Sequence, residues 1–337
     1  MKPQCLNLDK ISTLPEHIIE YILTLMPIRD AFRTSILSKR WRYCWRTMPK
    51  LVFTDDMVTV PSSCRCGPCG QLNKYKLLDA IDHVLSLHNG RTQLEFNCII
   101  SEHVTVSEID KIIINYLANG NNVTEMTFIQ DVICKLPVSF YSLEDLESIY
   151  FQRCEIELPS NFNGFSRLTS LTFVSVEVSA PMLQQFLSKC LLIEDIYLNG
   201  FQTVIDFAPE GTKFTFVDLL QYVPLIKGLF VSKYYMKYLS AGGMPRTLPN
   251  SLVYLECLFL DVCLMEQNEI SAALCLIKSS PTLEQISILV YMLLLIVAAL
   301  CNLADIFTCF LIRCVIMRSC LFDQLRPNFL ILKATQI

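Results

Sequence analysis

Glycine is scarce: ten residues in a chain of 337. No Gly-rich loop able to wrap a phosphate can be read anywhere. Histidine is scarcer still, with four residues spread along the chain and none at a ligand-like spacing to another. Charge is thin at 18% of residues, and the net charge of −4 gives the chain as a whole no basic footprint for nucleic acid. The opening stretch, MKPQCLNLDKISTLPE, has no apolar core of the secretory type. The sixteen cysteines follow no framework spacing, so free thiols in a reduced compartment are expected. Asn122-Val123-Thr124 is a glycosylation sequon that such a compartment leaves silent. Paired carboxylates at a shared-proton spacing are also missing, because Asp55-Asp56 and Glu144-Asp145 are adjacent and point apart. These gaps argue against an enzyme.

Apolar residues are abundant, at 52%. The most informative run is LPEHIIEYILTLMPIRDAFRTSILSKRWRYCW at 14–45, which contains the two tryptophans of the chain. Ile18, Ile19, Ile22, Leu23 and Leu25 recur at helical spacing. Thr13 with Glu16 reads as a capping box, and Leu14-Pro15 as the helix start. Pro27 ends this helix, and Asp30 sits near the start of the next, where a negative charge suits the helix dipole. Arg29, Arg33, Lys39, Arg40, Arg42 and Arg46 make a local basic cluster, by default a solvated face. Two apolar faces on so short a helical unit leave surface that a partner could cover.

From position 92 the chain repeats. Apolar residues recur as L-x-x-L-x-L or a near relative around Leu94/Phe96, Met126/Phe128, Ile149/Phe151, Leu171/Phe173, Ile196/Leu198, Leu229/Val231, Leu258/Leu260 and Ile286/Ile288. From Met126 the steps between central residues are 23, 22, 25, 33, 29 and 28. An irregular period of this size is a leucine-rich-repeat signature: one parallel strand per unit, returning through a helix or loop. Ser107–Ala118, Pro181–Lys189 and Glu266–Lys278 are candidate return helices, and Lys76–His88 is a further helix in the stretch that precedes the repeats. The fold class is therefore α/β: a small helical N-terminal module followed by a solenoid. The domains read as 8–50 for the module, 51–91 for a linker with one helix, 92–288 for the repeats and 289–337 for a hydrophobic tail.

The joint pattern of Leu14-Pro15, Ile18, Ile19, Ile22, Leu23, Leu25, Pro27, Asp30, Ala31, Thr34, Ser35, Leu37, Ser38, Arg40, Trp41 and Trp45 resembles an F-box, and with the repeats the chain is similar to the plant F-box/leucine-rich-repeat family with FBD-type members. That resemblance implies a non-catalytic adaptor subunit of an SCF-type cullin–RING ubiquitin ligase, acting in the nucleus or cytoplasm. The F-box holds the Skp adaptor, and through it cullin and RING subunits. The repeats hold a protein substrate that no motif identifies. Adaptor contacts are assigned to Leu14, Pro15, Ile18, Ile22, Leu25, Pro27, Leu37, Trp41 and Trp45, some of which must instead fill the module's core. No cofactor, catalytic residue or nucleic acid is implied. The alternatives are a non-ligase repeat scaffold, a membrane-tethered interaction protein, or the product of a degenerate or misspliced gene.

Two segments fit no family expectation. Cys64, Cys66 and Cys69 form CRCGPC, three thiols of a possible zinc set with His83 or His88 as a fourth, but they stand in a Pro/Gly/Ser-rich stretch where cysteines are often incidental. Residues 286–304 carry no charge, long enough to span a bilayer. The abrupt change of composition favours retained intron or frame-shifted sequence there over a membrane segment or a terminal cap.

Overall fold

The computed structural model describes residues 11, 13–54, 67–88, 94–100, 105–118, 123–200, 214–241, 243–263 and 265–290, with the two-residue strands 313–314 and 332–333. The chain divides into two compact units, Met1–Ile149 and Tyr150–Ile337.

The first unit begins with α1 (Glu16–Thr24) and α2 (Ile28–Arg33), followed by short 3-10 turns at Thr34–Ile36 and Cys44–Thr47. Both helices start behind a proline. Pro15 and Pro27 are the N-caps, held extended at φ −57° and −55°, and their carbonyls receive the first helical N–H groups. The capping box expected of Thr13 and Glu16 is therefore not what starts α1: its N-cap is Pro15, which has no side-chain acceptor to offer. Pro27 stands outside α1, which ends at Thr24, because a proline disfavours helical backbone in the residue before it.

β1 (Lys50–Thr54) follows at once and pairs in parallel with β2 (Leu94–Ile100), which pairs in parallel with β3 (Val123–Lys135). The stretch 51–91, read as a linker, thus opens with a repeat strand. Met48-x-x-Leu51-x-Phe53 carries the same apolar spacing as the later repeats, and all three side chains are buried. The intervening helix α3 (Gly67–Leu87) starts nine residues earlier than Lys76, so it takes in part of the Pro/Gly/Ser-rich stretch as well. α4 (Val106–Ala118) occupies the expected return position, one residue longer at its start than read from the sequence. Asp110 on α4 accepts from both the backbone N–H and the hydroxyl of Ser139, tying the helix to the turn after β3.

A buried histidine fastens the end of α3. His88 Nε2 lies 2.9 Å from the carbonyl of Met48, and Nδ1 lies 3.1 Å from the Tyr116 hydroxyl. A carbonyl only accepts, so the proton is on Nε2 and Tyr116 donates to Nδ1. Burial pushes the imidazole below its ordinary value.

In the second unit β4 (Ser148–Glu155), which begins at the boundary, is followed by β5 (Ser170–Val174), β6 (Asp195–Asn199), β7 (Gly228–Val231), β8 (Cys257–Val262) and β9 (Gln285–Val290). β5 through β9 pair in parallel in chain order, with Leu171, Ile196, Leu229, Leu258 and Ile286 in one register column. Every strand read from the sequence is present. The columns stay aligned because one carbonyl per repeat receives two N–H groups of the next: Thr169 from Glu194 and Asp195, Glu194 from Lys227 and Gly228, Lys227 from Glu256 and Cys257, Glu256 from Glu284 and Gln285. α5 (Ala180–Ser188), α6 (Phe216–Gln221), α7 (Lys233–Ser240) and α8 (Gln267–Lys278) make the returns. α6 and α7 fall in the long steps between β6 and β8, where the sequence shows only an insertion. α6 has a true capping box, Thr215 with Asp218. Phe162, Phe165, Phe173 and Phe186 cluster under β5 with ring centroids 5.4 to 5.9 Å apart.

Beyond β9 only Arg313–Cys314 and Leu332–Lys333 are described, the latter antiparallel to β9. The remainder of the uncharged run and the tail lies outside the described residues. Among the described residues no helix is long and apolar enough to cross a membrane.

His88 generates a pH prediction. Its folded-state affinity for a proton is below that of the unfolded chain, so below pH ~6.5 the unfolded state gains a proton that the folded state resists. Stability should be full above that pH and fall as pH drops from 7 toward 5. His88→Phe should melt lower at pH 8, by about 1–3 kcal/mol for the orphaned carbonyl and hydroxyl, and show a shallower loss on acidification. An unchanged pH slope in this variant would remove His88 from the account.

Candidate functional site

α1 is apolar on two sides, and the structure uses them differently. Ile19 and Leu23 point inward and are fully buried. Ile18, Tyr21 and Leu25, at i, i+3 and i+7, share the opposite stripe and are exposed, with Ile22 half-buried beside them. The inner side meets the turn that carries Trp45. Trp45 is 2% exposed and Trp41 3%. Phe32 makes an edge-to-face contact with Trp45 at 5.3 Å between centroids. The Trp41 indole N–H points to the Ile11 carbonyl at 3.4 Å, closing the start of the segment onto its end.

This burial sorts the residues assigned to adaptor contact. Pro15, Ile18, Leu25, Pro27 and Leu37 are exposed, while Leu14 and Ile22 are half-buried. Trp41 and Trp45 belong to the core: their surface is spent inside the module, and neither side chain is available to a partner. Periodicity could not separate the two roles, because both kinds of residue are apolar and fall on the same short helices. Tyr21, Phe32, Ile36 and Tyr43, outside that assignment, are also exposed. Tyr21 was legible in principle, since it completes the i, i+3, i+4, i+7 stripe from Ile18. Ile36 was not, because it sits on a 3-10 turn whose facing no helical period gives. Eight of the eighteen large apolar side chains found exposed among the described residues lie between Ile11 and Tyr43, an uneven share for so short a segment. The most exposed of these eight are Leu25 at 70% and Ile36 at 87%.

Next to this surface is an open hollow of about 610 Å³, lined by Phe32, Arg33, Ser35, Ile36, Ser38, Lys39 and Arg42. Its floor is apolar and its rim basic. Ser35 Oγ donates to the Arg42 carbonyl at 2.9 Å, which folds the SILSKRW run back on itself. The Ser38 hydroxyl is buried without a hydrogen-bond partner. Arg46 lies over the Tyr43 ring at 4.4 Å, a cation–π contact that covers one side of that ring. The Arg33–Asp30 pair, 3.4 Å apart and well exposed, contributes little to stability.

Residues 11–53 match the F-box domain family. Among curated relatives, an F-box/FBD/LRR-repeat protein of Arabidopsis thaliana is 29% identical, with the alignment covering 83% of this chain and 76% of the relative. The chain is similar to plant F-box/leucine-rich-repeat proteins, FBD-type ones among them. A putative F-box/LRR-repeat protein of the same plant is 29% identical over 192 residues, 56% of this chain and 42% of the relative. An F-box/LRR-repeat protein is 52% identical over 62 residues, only 18% of this chain. The F-box match reaches Phe53, so it runs into β1, the first strand of the sheet. An F-box indicates binding to a Skp-type adaptor in general, and proteins of this family are generally non-catalytic adaptors.

A catalytic cysteine needs a lowered pKa, yet burial raises the thiols of Cys134 and Cys190 to about 11, and those of Cys44, Cys257 and Cys275 also move up. The described residues hold no cluster of three or more metal-binding side chains. Cys64 and Cys66 lie outside the described residues.

Trp45→Ala should cost about 3–5 kcal/mol, the usual loss for emptying a buried aromatic site. Leu25→Ala should change stability by less than about 0.5 kcal/mol, since its side chain is already in water. Chemical denaturation of the two variants beside the parent checks both; a strongly destabilised Leu25 variant would place that residue in the core after all.

Proposed function

We propose that this chain is the substrate-recognition subunit of an SCF-type cullin–RING ubiquitin ligase, with the F-box as its adaptor handle and the repeats as its target-binding part. The observation that carries this reading is the sorting in α1: the same helix that closes the core with Ile19 and Leu23 leaves Ile18, Tyr21 and Leu25 outside. Leaving that much apolar surface in water is unfavourable for an isolated module, and docking an adaptor reverses the penalty. The basic rim of the hollow suits an acidic adaptor surface and would speed association rather than set affinity. The chain itself performs no chemistry in this scheme; it fixes the distance between a bound target and a ubiquitin-charged enzyme carried by the cullin and RING subunits. It acts in the nucleus or cytoplasm.

The test is capture of the Skp adaptor by the full-length chain. Leu25→Asp and Ile36→Asp should each weaken capture about thirtyfold or more, the penalty for a buried hot-spot residue, with unchanged melting. Equal capture by the parent and both variants would show that this face is not the adaptor site.

A further inference from the structure

Each repeat strand of the second unit is entered through a short turn. The last inward residue of that turn is fully buried: Ile193 before β6, Ile226 before β7 and Leu255 before β8. The two residues ahead of it face water, and here they are apolar. Leu191 and Leu192 are 58% and 45% exposed, Val253 and Tyr254 49% and 50%. These are four of the six large apolar side chains found exposed among the described residues of the second unit. Parallel register in chain order places the two turns at one end of the sheet, with Pro224 and Leu225 of the β7 turn between them. The Thr282 hydroxyl of the following turn donates to the carbonyls of Val253 and Leu255 at 3.0 and 3.2 Å, which braces this row. Nothing in the repeat requires apolar residues there, because Ser166-Arg167 before β5 and Glu144-Asp145 before β4 fill the same two positions.

A charged row runs beside this apolar one. The residue after each inward position is Glu194, Lys227, Glu256 and then Glu284 before β9. Lys227 pairs with Glu194 at 2.8 Å, while Glu256, Glu284 and the next residue of β6, Asp195, are exposed. Asp195 Oδ1 lies where a side chain at Gly228 would have to be, so the missing Cβ lets the carboxylate lean over β7 toward the repeat of Glu256. Burial, Glu194 and Glu256 push the Asp195 carboxyl above its ordinary value against the pull of Lys227. The exposed Cys257 thiol is raised by burial and then by Glu256, Asp195 and Glu284. The row therefore holds negative charge that its one lysine does not balance.

An apolar row beside an acidic one fits a partner with the reverse pattern: an apolar stripe flanked by cations. The spacing suits a helix. Strands two apart in a sheet are about 10 Å apart, which sets the distance from the β6 turn to the β8 turn. Positions i and i+7 on a helix are also about 10 Å apart, at 1.5 Å per residue. A nucleic acid or an anionic membrane would meet surplus negative charge here, which leaves a protein segment. We infer that the turns entering β6–β8 dock a basic amphipathic helix of the target protein, with its apolar stripe on Leu192 and Tyr254 and its lysines or arginines beside Asp195, Glu256 and Glu284. This deepens the proposed function by naming the chemistry of the substrate, and it rests on that reading for the consequence of binding.

The test uses the full chain and three fluorescein-labelled helical peptides, read by fluorescence anisotropy. The first has leucines at i, i+3, i+4 and i+7 with lysines elsewhere; the second replaces its lysines by glutamates; the third replaces its leucines by serines. The first should bind, and the other two about tenfold more weakly or worse. Leu192→Ser combined with Tyr254→Ser should lower affinity for the first peptide about tenfold or more, with unchanged melting because both side chains are already in water. Glu256→Lys combined with Glu284→Lys should lower it as well and flatten its salt dependence. Equal binding of the lysine and glutamate peptides, no binding of the first peptide, or full binding by the Leu192/Tyr254 double variant would overturn the inference. Adaptor capture is measured separately: its loss with peptide binding intact counts against the ligase reading alone, and the reverse counts against this inference alone.

Discussion

Burial of Trp45 against the inner side of α1 decides which apolar side chains of the first unit stay in water. A helix of nine residues has too little surface to satisfy a core on all sides. Once Ile19 and Leu23 turn toward the Trp45 turn, Ile18, Tyr21 and Leu25 have to face out, because they leave the helix on the opposite stripe. The prolines enforce the same outcome. Pro15 and Pro27 fix where both helices begin, so the phase of each stripe cannot drift. Core and exposed apolar face are two consequences of one packing choice, and a substitution that disturbs the core acts on the face as well.

The repeats obey a different constraint. No strand–helix unit buries its apolar column alone, and each is completed by the next. The carbonyls of Thr169, Glu194, Lys227 and Glu256 each hold two N–H groups of the following repeat, which sets the register without any side chain. Side chains on the outward face are then free of structural duty.

The strands were legible because L-x-x-L-x-L puts inward residues at fixed spacing regardless of what lies between. The same spacing sits at Met48, Leu51 and Phe53, but it adjoins the basic run of the F-box and was read as a boundary. The early start of α3 was hidden by Gly67, Pro68 and Gly70, residues that signal loop by propensity and are overridden in this fold. The exposed apolar face of the first unit was legible as a set of apolar residues and not as a surface. Trp41 and Leu25 look alike in a hydrophobic pattern, and only the packing shows that one is core and the other is 70% exposed. The stacking of Tyr197 on Phe230 and of Phe230 on Phe259 could not be read at all, since these rings become neighbours only through parallel register.

The central claim is that the outward face of the F-box, and not its tryptophan core, is the adaptor site. Amide hydrogen exchange of the full chain, with and without the Skp adaptor, tests it most directly. The account predicts new protection concentrated between Ile11 and Tyr43, with the exchange of β5–β9 unchanged. Protection that appears on the repeat strands while α1 and the SILSKRW run stay as they were would contradict it.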